Sequence, residues 1–278
     1  MLFDPGVWVD QRTERTPRGD GELLVEIREE LAELASYGYR RACALVNRQR
    51  GTGAPRVTPS ALSRDGWQRL ASAEGAETSS LQQAARRCRC RHDQQHALML
   101  DGFEIKCDSG QTVTTTFAKD CCDREILAFR AWEGKGLPGE PVREMLIEAV
   151  EKRFGTVDSV PAGHVLEFLS DNGGAYIAHD TRRIARSLGL TPINTPICSP
   201  QSNGMAESFV NTFRRDYQSR MDLSDAPTVL AQLAAAFEHF NEVHPHSSLK
   251  MRSPREFRRH RVEQMRHAQL NKAALHCE

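Results

Sequence analysis

Apolar positions 23, 24, 27, 31 and 34 recur at helical spacing, Ser36-Tyr37-Gly38-Tyr39-Arg40 interrupts them, and Ala42, Leu45 and Val46 resume the pattern. The spacing predicts a helical hairpin over residues 22–49. From residue 101 the period changes to two. Residues 111–118 alternate with β-branched Thr and Val, residues 126–132 form a second such run, and 120–124 read as the turn between them. Val142, Met145, Leu146, Ala149 and Val150 return at helical spacing within 139–154, and 165–169 is a short apolar strand. A helix over 181–188, a strand over 191–197 and a helix entered at Ser199-Pro200 follow, with Gly204 leaving that helix's first turn open. Leu230, Leu233, Phe237 and Phe240 mark a last apolar stripe in 226–243, read as core contact. Strand hairpins followed by alternating strand and helix predict a mixed sheet with helices on its faces.

Composition narrows this reading only a little. The 278 residues allow one large domain or a medium one with an attachment. Thirty-seven basic and thirty-seven acidic residues cancel, so net charge selects no partner. Local charge does select: residues 250–267 hold Lys250, Arg252, Arg255, Arg258, Arg259, Arg261 and Arg266 against Glu256 and Glu263. Such a segment suits phosphate neutralisation, or else a solvated helix face. No apolar run approaches the ~20 residues of a membrane span, and the start has no charged leader before an apolar stretch. A soluble intracellular protein with reduced thiols is expected, since eight cysteines with an adjacent Cys121-Cys122 do not form an extracellular disulfide framework.

Residues 58–100 resist assignment. Ala, Ser, Gln and Arg dominate, periodicity fades, and Arg87-Cys88-Arg89-Cys90-Arg91-His92 suits no element. Cys88, Cys90, His92 and His96 are zinc-ligand types, but their spacing lacks the usual paired cysteines. His244-Pro245-His246 likewise reads as packing or a turn, because proline prevents a helical histidine pair.

The chemistry concentrates in three acids: Asp101 in Asp-Gly-Phe-Glu, Asp171 in Leu-Ser-Asp-Asn-Gly-Gly, and Glu207 in Asn-Gly-Met-Ala-Glu-Ser-Phe, with 35 residues between the last two. Singly each has an ordinary explanation, as a turn residue or a helix-start acid. Together they offer the oxygen ligands of a Mg²⁺ pair, the chemistry of phosphoryl transfer on nucleic acid. Asp108, Asp120 and Asp123 compete with Asp101, but Asp108 lies near a hairpin tip beside Ser109-Gly110.

Residues 101–258 resemble the catalytic core of bacterial insertion-sequence transposases of the retroviral-integrase superfamily. The likeness rests on Asp101-Gly102-Phe103-Glu104, Phe117-Ala118-Lys119-Asp120-Cys121-Cys122-Asp123-Arg124-Glu125, the run from Ser199-Pro200 to Phe209, and His244-Pro245-His246. It implies an α/β, ribonuclease-H-like fold: a mixed five-stranded sheet with flanking helices, preceded by a helical hairpin and followed by a basic C-terminal helical tail. It also implies a helix-turn-helix-like segment over 1–57, an aberrant linker over 58–100, the catalytic core over 101–225, and C-terminal helices over 226–278. Asp101, Asp171 and Glu207 are then catalytic and hold two Mg²⁺, with Mn²⁺ as a substitute. Asp120 and Asp123 fall in the family's turn motif.

Asn211 and Arg214 stand at i+4 and i+7 from Glu207, with Arg215 adjacent. With Asn203, Arg255 and Arg258 they are the expected DNA contacts. Implied partners are the element's terminal repeats and target DNA, further copies of the chain on that DNA, and an upstream-frame helix-turn-helix protein; implied location is the bacterial cytoplasm, at the nucleoid. Two alternatives stand beside this reading, a DNA-binding remnant without activity and a host nuclease of the same fold. The remnant draws on residues 58–100, where relatives carry a Val-Ala-rich run and Ser-Asn-x-Arg-Trp-Cys-Ser before the first Asp. Reading the bases of Arg87 to Cys90 one nucleotide later permits Val-Ala-Val-Ala, which suggests two compensating frame shifts near Thr58 and Leu100. The expectation is a central strand whose first half is uncertain in register, with Leu98-Met99-Leu100 apolar enough to pair.

Overall fold

The computed structural model describes residues 25, 27, 29, 37, 39–51, 96–155, 166–170, 173–194 and 200–275. The chain divides into two units, 1–76 and 77–278. In the first, Tyr39–Arg50 forms α1, which buries Ala42, Cys43, Leu45 and Val46. Residues 25, 27 and 29 are helical, and the Arg41 guanidinium lies 5.1 Å from the centre of the Tyr37 ring.

The second unit is built on five strands: β1 (His96–Lys106), β2 (Thr112–Asp120), β3 (Ile126–Glu133), β4 (Leu166–Ser170) and β5 (Leu190–Asn194). Their order is β3-β2-β1-β4-β5. The first three form an antiparallel meander, while β4 and β5 join in parallel. The helices are α2 (Gly139–Phe154), α3 (Gly174–Ile177), α4 (His179–Ser187), α5 (Pro200–Asp216), α6 (Ala226–Glu242) and α7 (Pro254–Leu275). This is the mixed sheet of a ribonuclease-H-like domain. Among the described residues no helix is long and apolar enough to cross a membrane.

Strand alternation sorts the core into two layers. Leu98, Leu100 and Ala118 face one side and pack with Val142, Met145, Leu146, Ala149 and Val150 of α2 and with Tyr176 and Ala185. Phe103, Ile105, Val113 and Phe117 face the other side and pack with Phe209, Phe213, Leu233, Phe237 and Phe240 of α5 and α6. The helix stripes read in 139–154 and 226–243 are those that cover the sheet.

Two expected boundaries shift. A break at 225/226 does not separate core from tail, because α6 shares one buried cluster with α5. A break at 100/101 falls inside β1, which begins at His96. Residues 96–100 are paired on both sides, to β2 from Leu98↔Asp120 and to β4 from His96↔Leu166 through Leu100↔Ser170. Leu98 and Leu100 are each 1% exposed, so the uncertain half-strand is a seated central strand. Cys88, Cys90 and His92 lie outside the described residues, as does the rest of 58–95.

Candidate active site

Asp101 stands on β1 opposite Phe117. It follows the Leu100↔Ser170 rung of the β1–β4 ladder, and Asp171 follows the other half of that rung in the chain. Two acids each one residue past a shared parallel rung are the local reason for expecting them together. Asp171 itself lies outside the described residues. Past this rung the Gly102 N–H donates to Asp101 Oδ1 at 2.8 Å, which turns that carboxylate oxygen back onto its own chain.

Asp101 shares a strand face with Met99 and Phe103, the face that α5 covers. Ala206, fully buried, packs with Met99, and Met205 and Leu169 border the same cluster. One turn on, Phe209 meets Phe117 at 4.5 Å between ring centres, and another turn on Phe213 meets Phe103 at 5.0 Å. α5 therefore runs alongside β1 past Asp101. Glu207, between Ala206 and Phe209, is exposed on the flank of that helix. Gly204 does not break α5, which starts at Pro200.

The donor set is hard: carboxylate oxygens of the kind that suit Mg²⁺ or Mn²⁺. Among the described residues no group of three or more His, Cys, Asp or Glu side chains is placed to hold a metal ion. Asp101 and Glu207 would need Asp171 to complete such a group.

The expected DNA contacts divide by what they already touch. Asn211 and Arg214 are exposed on α5, and at roughly 100° per residue Arg214 falls on the same flank as Glu207. The Asn203 side chain is outside the described residues. Arg215 forms a two-point pair with buried Asp216, Nε to Oδ1 at 2.6 Å and a terminal nitrogen to Oδ2 at 2.8 Å. Arg255 reaches Glu125 at 2.9 Å, Glu238 at 2.5 Å and Glu242 at 3.0 Å, and these carboxylates raise its pKa against the opposing effect of burial. Arg258 also pairs with Glu125, at 3.2 Å. These α7 arginines line a 470 Å³ groove with Arg259, Val262, Glu263 and Arg266, to which none of the three acids contributes.

Other polar clusters were not legible in the sequence. Asp120 and Asp123, weighed as candidate first acids, are engaged by Arg153 at the end of α2, with Arg153–Asp123 at 2.5 Å. Burial first, and then the Asp120 charge, pushes the Asp123 carboxyl up to about 6 despite Arg153. Asp108 sits in the β1–β2 hairpin turn, exposed. His244 is buried and stacked on Phe240 at 5.1 Å, a packing role. Tyr176 on α3 and Thr116 on β2 share a hydroxyl contact beside Asp101; a Tyr five residues past Asp171 was the available signal.

Comparison with known proteins places this geometry. The model of the Integrase core domain family matches residues 188–254, the stretch that holds Glu207. The chain is 43% identical over 258 residues to Transposase InsD for insertion element IS2D of Escherichia coli strain K12, covering 92% of this chain and 84% of that one. It is also 43% identical over 256 residues to an uncharacterized 48.2 kDa protein of insertion element IS2A from Escherichia coli, of which it spans 59%. Among solved structures, the catalytic core domain of BIV integrase is similar at 16% identity and a TM-score of 0.43, over 61% of this chain and 97% of that one. With 43% identity along nearly its whole length, the chain belongs to the insertion-sequence transposases, the DDE-type polynucleotidyl transferases built on an integrase core.

Proposed function

We propose that this chain cuts DNA at the ends of an insertion sequence and joins the freed strands to a target, using Asp101, Asp171 and Glu207 as ligands for two Mg²⁺. The observation that supports this most is the shared rung Leu100↔Ser170, after which both strands reach their acids, while Ala206, packed on Met99, anchors the helix that carries the neighbouring Glu207. Bound there, the metal pair supplies an activated water or DNA 3′-hydroxyl and stabilises the leaving oxygen in an in-line displacement. The protein's part is to hold the carboxylates. Asp101, its main chain held by the β1–β2 ladder, would hold the ions together with Asp171 and Glu207.

Arg214, exposed on the Glu207 flank, is placed to meet a phosphate of the terminal DNA, and Asn211 to add a neutral contact. Arg215, Arg255 and Arg258 are weaker candidates, because a phosphate would have to compete with the carboxylates they already hold. The partner is DNA, with assembly of several copies on it. The continuous ladder through residues 96–100 supports this reading over that of an inactive remnant.

Asp171→Asn or Glu207→Gln should abolish Mg²⁺-dependent nicking of end DNA and leave DNA binding within about threefold, since each exchange removes a charge with almost no change of shape. Nicking at the parental rate by either variant would remove the triad assignment.

A further inference from the structure

Two helices on one face of the sheet present opposite charges to solvent. α2 links β3 to β4 and α4 links β4 to β5, strands that all run in one direction. The two helices therefore run in a common direction too, packed against each other over one buried layer. In α2 the buried residues are Val142, Met145, Leu146, Ala149 and Val150. At roughly 100° per residue Glu140, Glu144, Ile147 and Glu151 fall together on the opposite side, within an arc of about 60°. In α4 Thr181 and Ala185 are buried, while His179, Arg182, Arg183 and Arg186, at i, i+3, i+4 and i+7, form the outer stripe.

Little within the chain neutralises either stripe. Among the described residues Glu140, Glu151, Arg182 and Arg186 form no ion pair, and none joins α2 to α4. Glu144 is 3.4 Å from Arg130 with 56% of its side chain exposed. Of the opposing charges on α2, Lys152 is held by Glu148 at 2.6 Å. Arg143 lies over Gly139, where a Cβ would stand 2.8 Å from its guanidinium. Asp180, the one acid of α4, engages Arg183 at 3.2 Å. Ile147 is 36% exposed in the middle of the acidic stripe, where the other branched aliphatic residues of α2 are buried.

We propose that α2 and α4 form the contact face of a homodimer, in which a twofold axis along the helices sets the acidic stripe of each copy on the basic stripe of the other. Twofold symmetry makes the same pairing twice, so both stripes of both copies are met at once. The aliphatic stems of the arginines cover Ile147. DNA fits this face less well: its phosphates are drawn to α4 but repelled by the glutamates of α2 one helix spacing away, about 8–10 Å. Ile147 also gains nothing from a phosphate. The pairing is independent of the metal-binding acids, and its readout needs neither DNA nor metal.

The test is sedimentation of the full chain, free of DNA and divalent metal, over a range of concentrations at low and high salt. The parent should form a dimer whose Kd rises with salt. Arg182→Glu with Arg186→Glu, and separately Glu140→Arg with Glu151→Arg, should each raise that Kd about tenfold or more, with far-UV circular dichroism unchanged. An equimolar mixture of the two variants should recover the parental dimer, because each reversed stripe then meets a reversed partner. A monomeric parent, a dimer unchanged in both variants, or loss in both without recovery on mixing would each overturn the proposal. So would parental self-association of the arginine variant together with weakened binding of a DNA duplex, which would assign α4 to nucleic acid. If a reversed variant does not fold, Ile147→Ser decides in its place: weaker self-association supports the dimer face, and parental self-association overturns it.

Discussion

Lys119 puts an ammonium where the alternation of β2 calls for an apolar side chain. It is 3% exposed, on the same face as Phe117, with Nζ 4.8 Å from the centre of the Phe209 ring and 5.7 Å from that of Phe240. The ring faces offset some of the lost hydration. Among the described residues no carboxylate forms an ion pair with it. Burial, helped by the Arg124 charge and opposed by Cys121, lowers its pKa to about 7. The unfolded chain, with an ordinary lysine, therefore binds more protons than the folded one between about pH 7 and 10.5, and in that window stability rises with pH. Lys119→Met, close in volume and uncharged, should raise the melting midpoint at pH 7 by roughly 5 °C, a few kcal/mol at about 1.4 kcal/mol per pKa unit. The gain should be complete below pH 7 and shrink toward pH 10. A gain that does not vary with pH would mean that packing, not desolvation of the amine, sets the cost. Nothing in the run Phe117-Ala118-Lys119-Asp120 marks this lysine as buried; only the position of α5 does.

At the scale of elements, Arg255 and Arg258, expected from the sequence as DNA contacts, also join helices. The turn after β2 presents Asp120, Asp123 and Glu125, and Arg153 from the last turn of α2 enters among them with 6% of its side chain exposed. Glu125 continues the network to Arg255 and Arg258 of α7, and Arg255 links that helix to Glu238 and Glu242 of α6. Removing one partner of such a buried set leaves uncompensated charge, so Arg153→Ala should cost about 3–5 kcal/mol. Among the described residues the exposed Arg214 has no such partner to lose. Arg214→Ala should lower the slope of log affinity for end DNA against log salt by about one unit while leaving the melting midpoint nearly unchanged. Arg255→Ala should do the reverse, lowering the midpoint with little change in slope; a slope change in Arg255→Ala equal to that of Arg214→Ala would restore α7 to the DNA surface. The helices themselves were legible because their apolar stripes are local patterns: Val142, Met145, Leu146, Ala149 and Val150 are the residues of α2 that are buried. The ion-pair partners of Arg153 and Arg255, 13 or more residues away in chain order, left no such pattern.

For the molecule as a whole, the sheet was foreseen where alternation and turns repeat, and least foreseen where the chain looked foreign. Asp101 and Glu207 were chosen by spacing and resemblance, and the structure adds that α5, which carries Glu207, packs on the face of β1 that holds Asp101. Tyr176, Thr116 and Gly102 were passed over, since their contacts cross from one strand to the next and from sheet to helix. Residues 96–100 are the sharper case. Their composition gave no reason for confidence in a central strand, yet Leu98 pairs with Phe168 on one side and Asp120 on the other, and its side chain joins the α2-facing core. A strand that holds its place by burial is indifferent to the history of its codons, provided that the alternate positions are apolar and fill the space. Leu98→Ala puts this to a direct measurement. A leucine 1% exposed in a packed layer should cost about 2–5 kcal/mol when truncated, lowering the midpoint by roughly 5–15 °C, and the loss should weaken Mn²⁺ binding because the strand presents Asp101 three residues later. A midpoint within about 2 °C of the parent would show that residues 96–100 are not seated in the core, and the aberrant segment would then extend to Asp101.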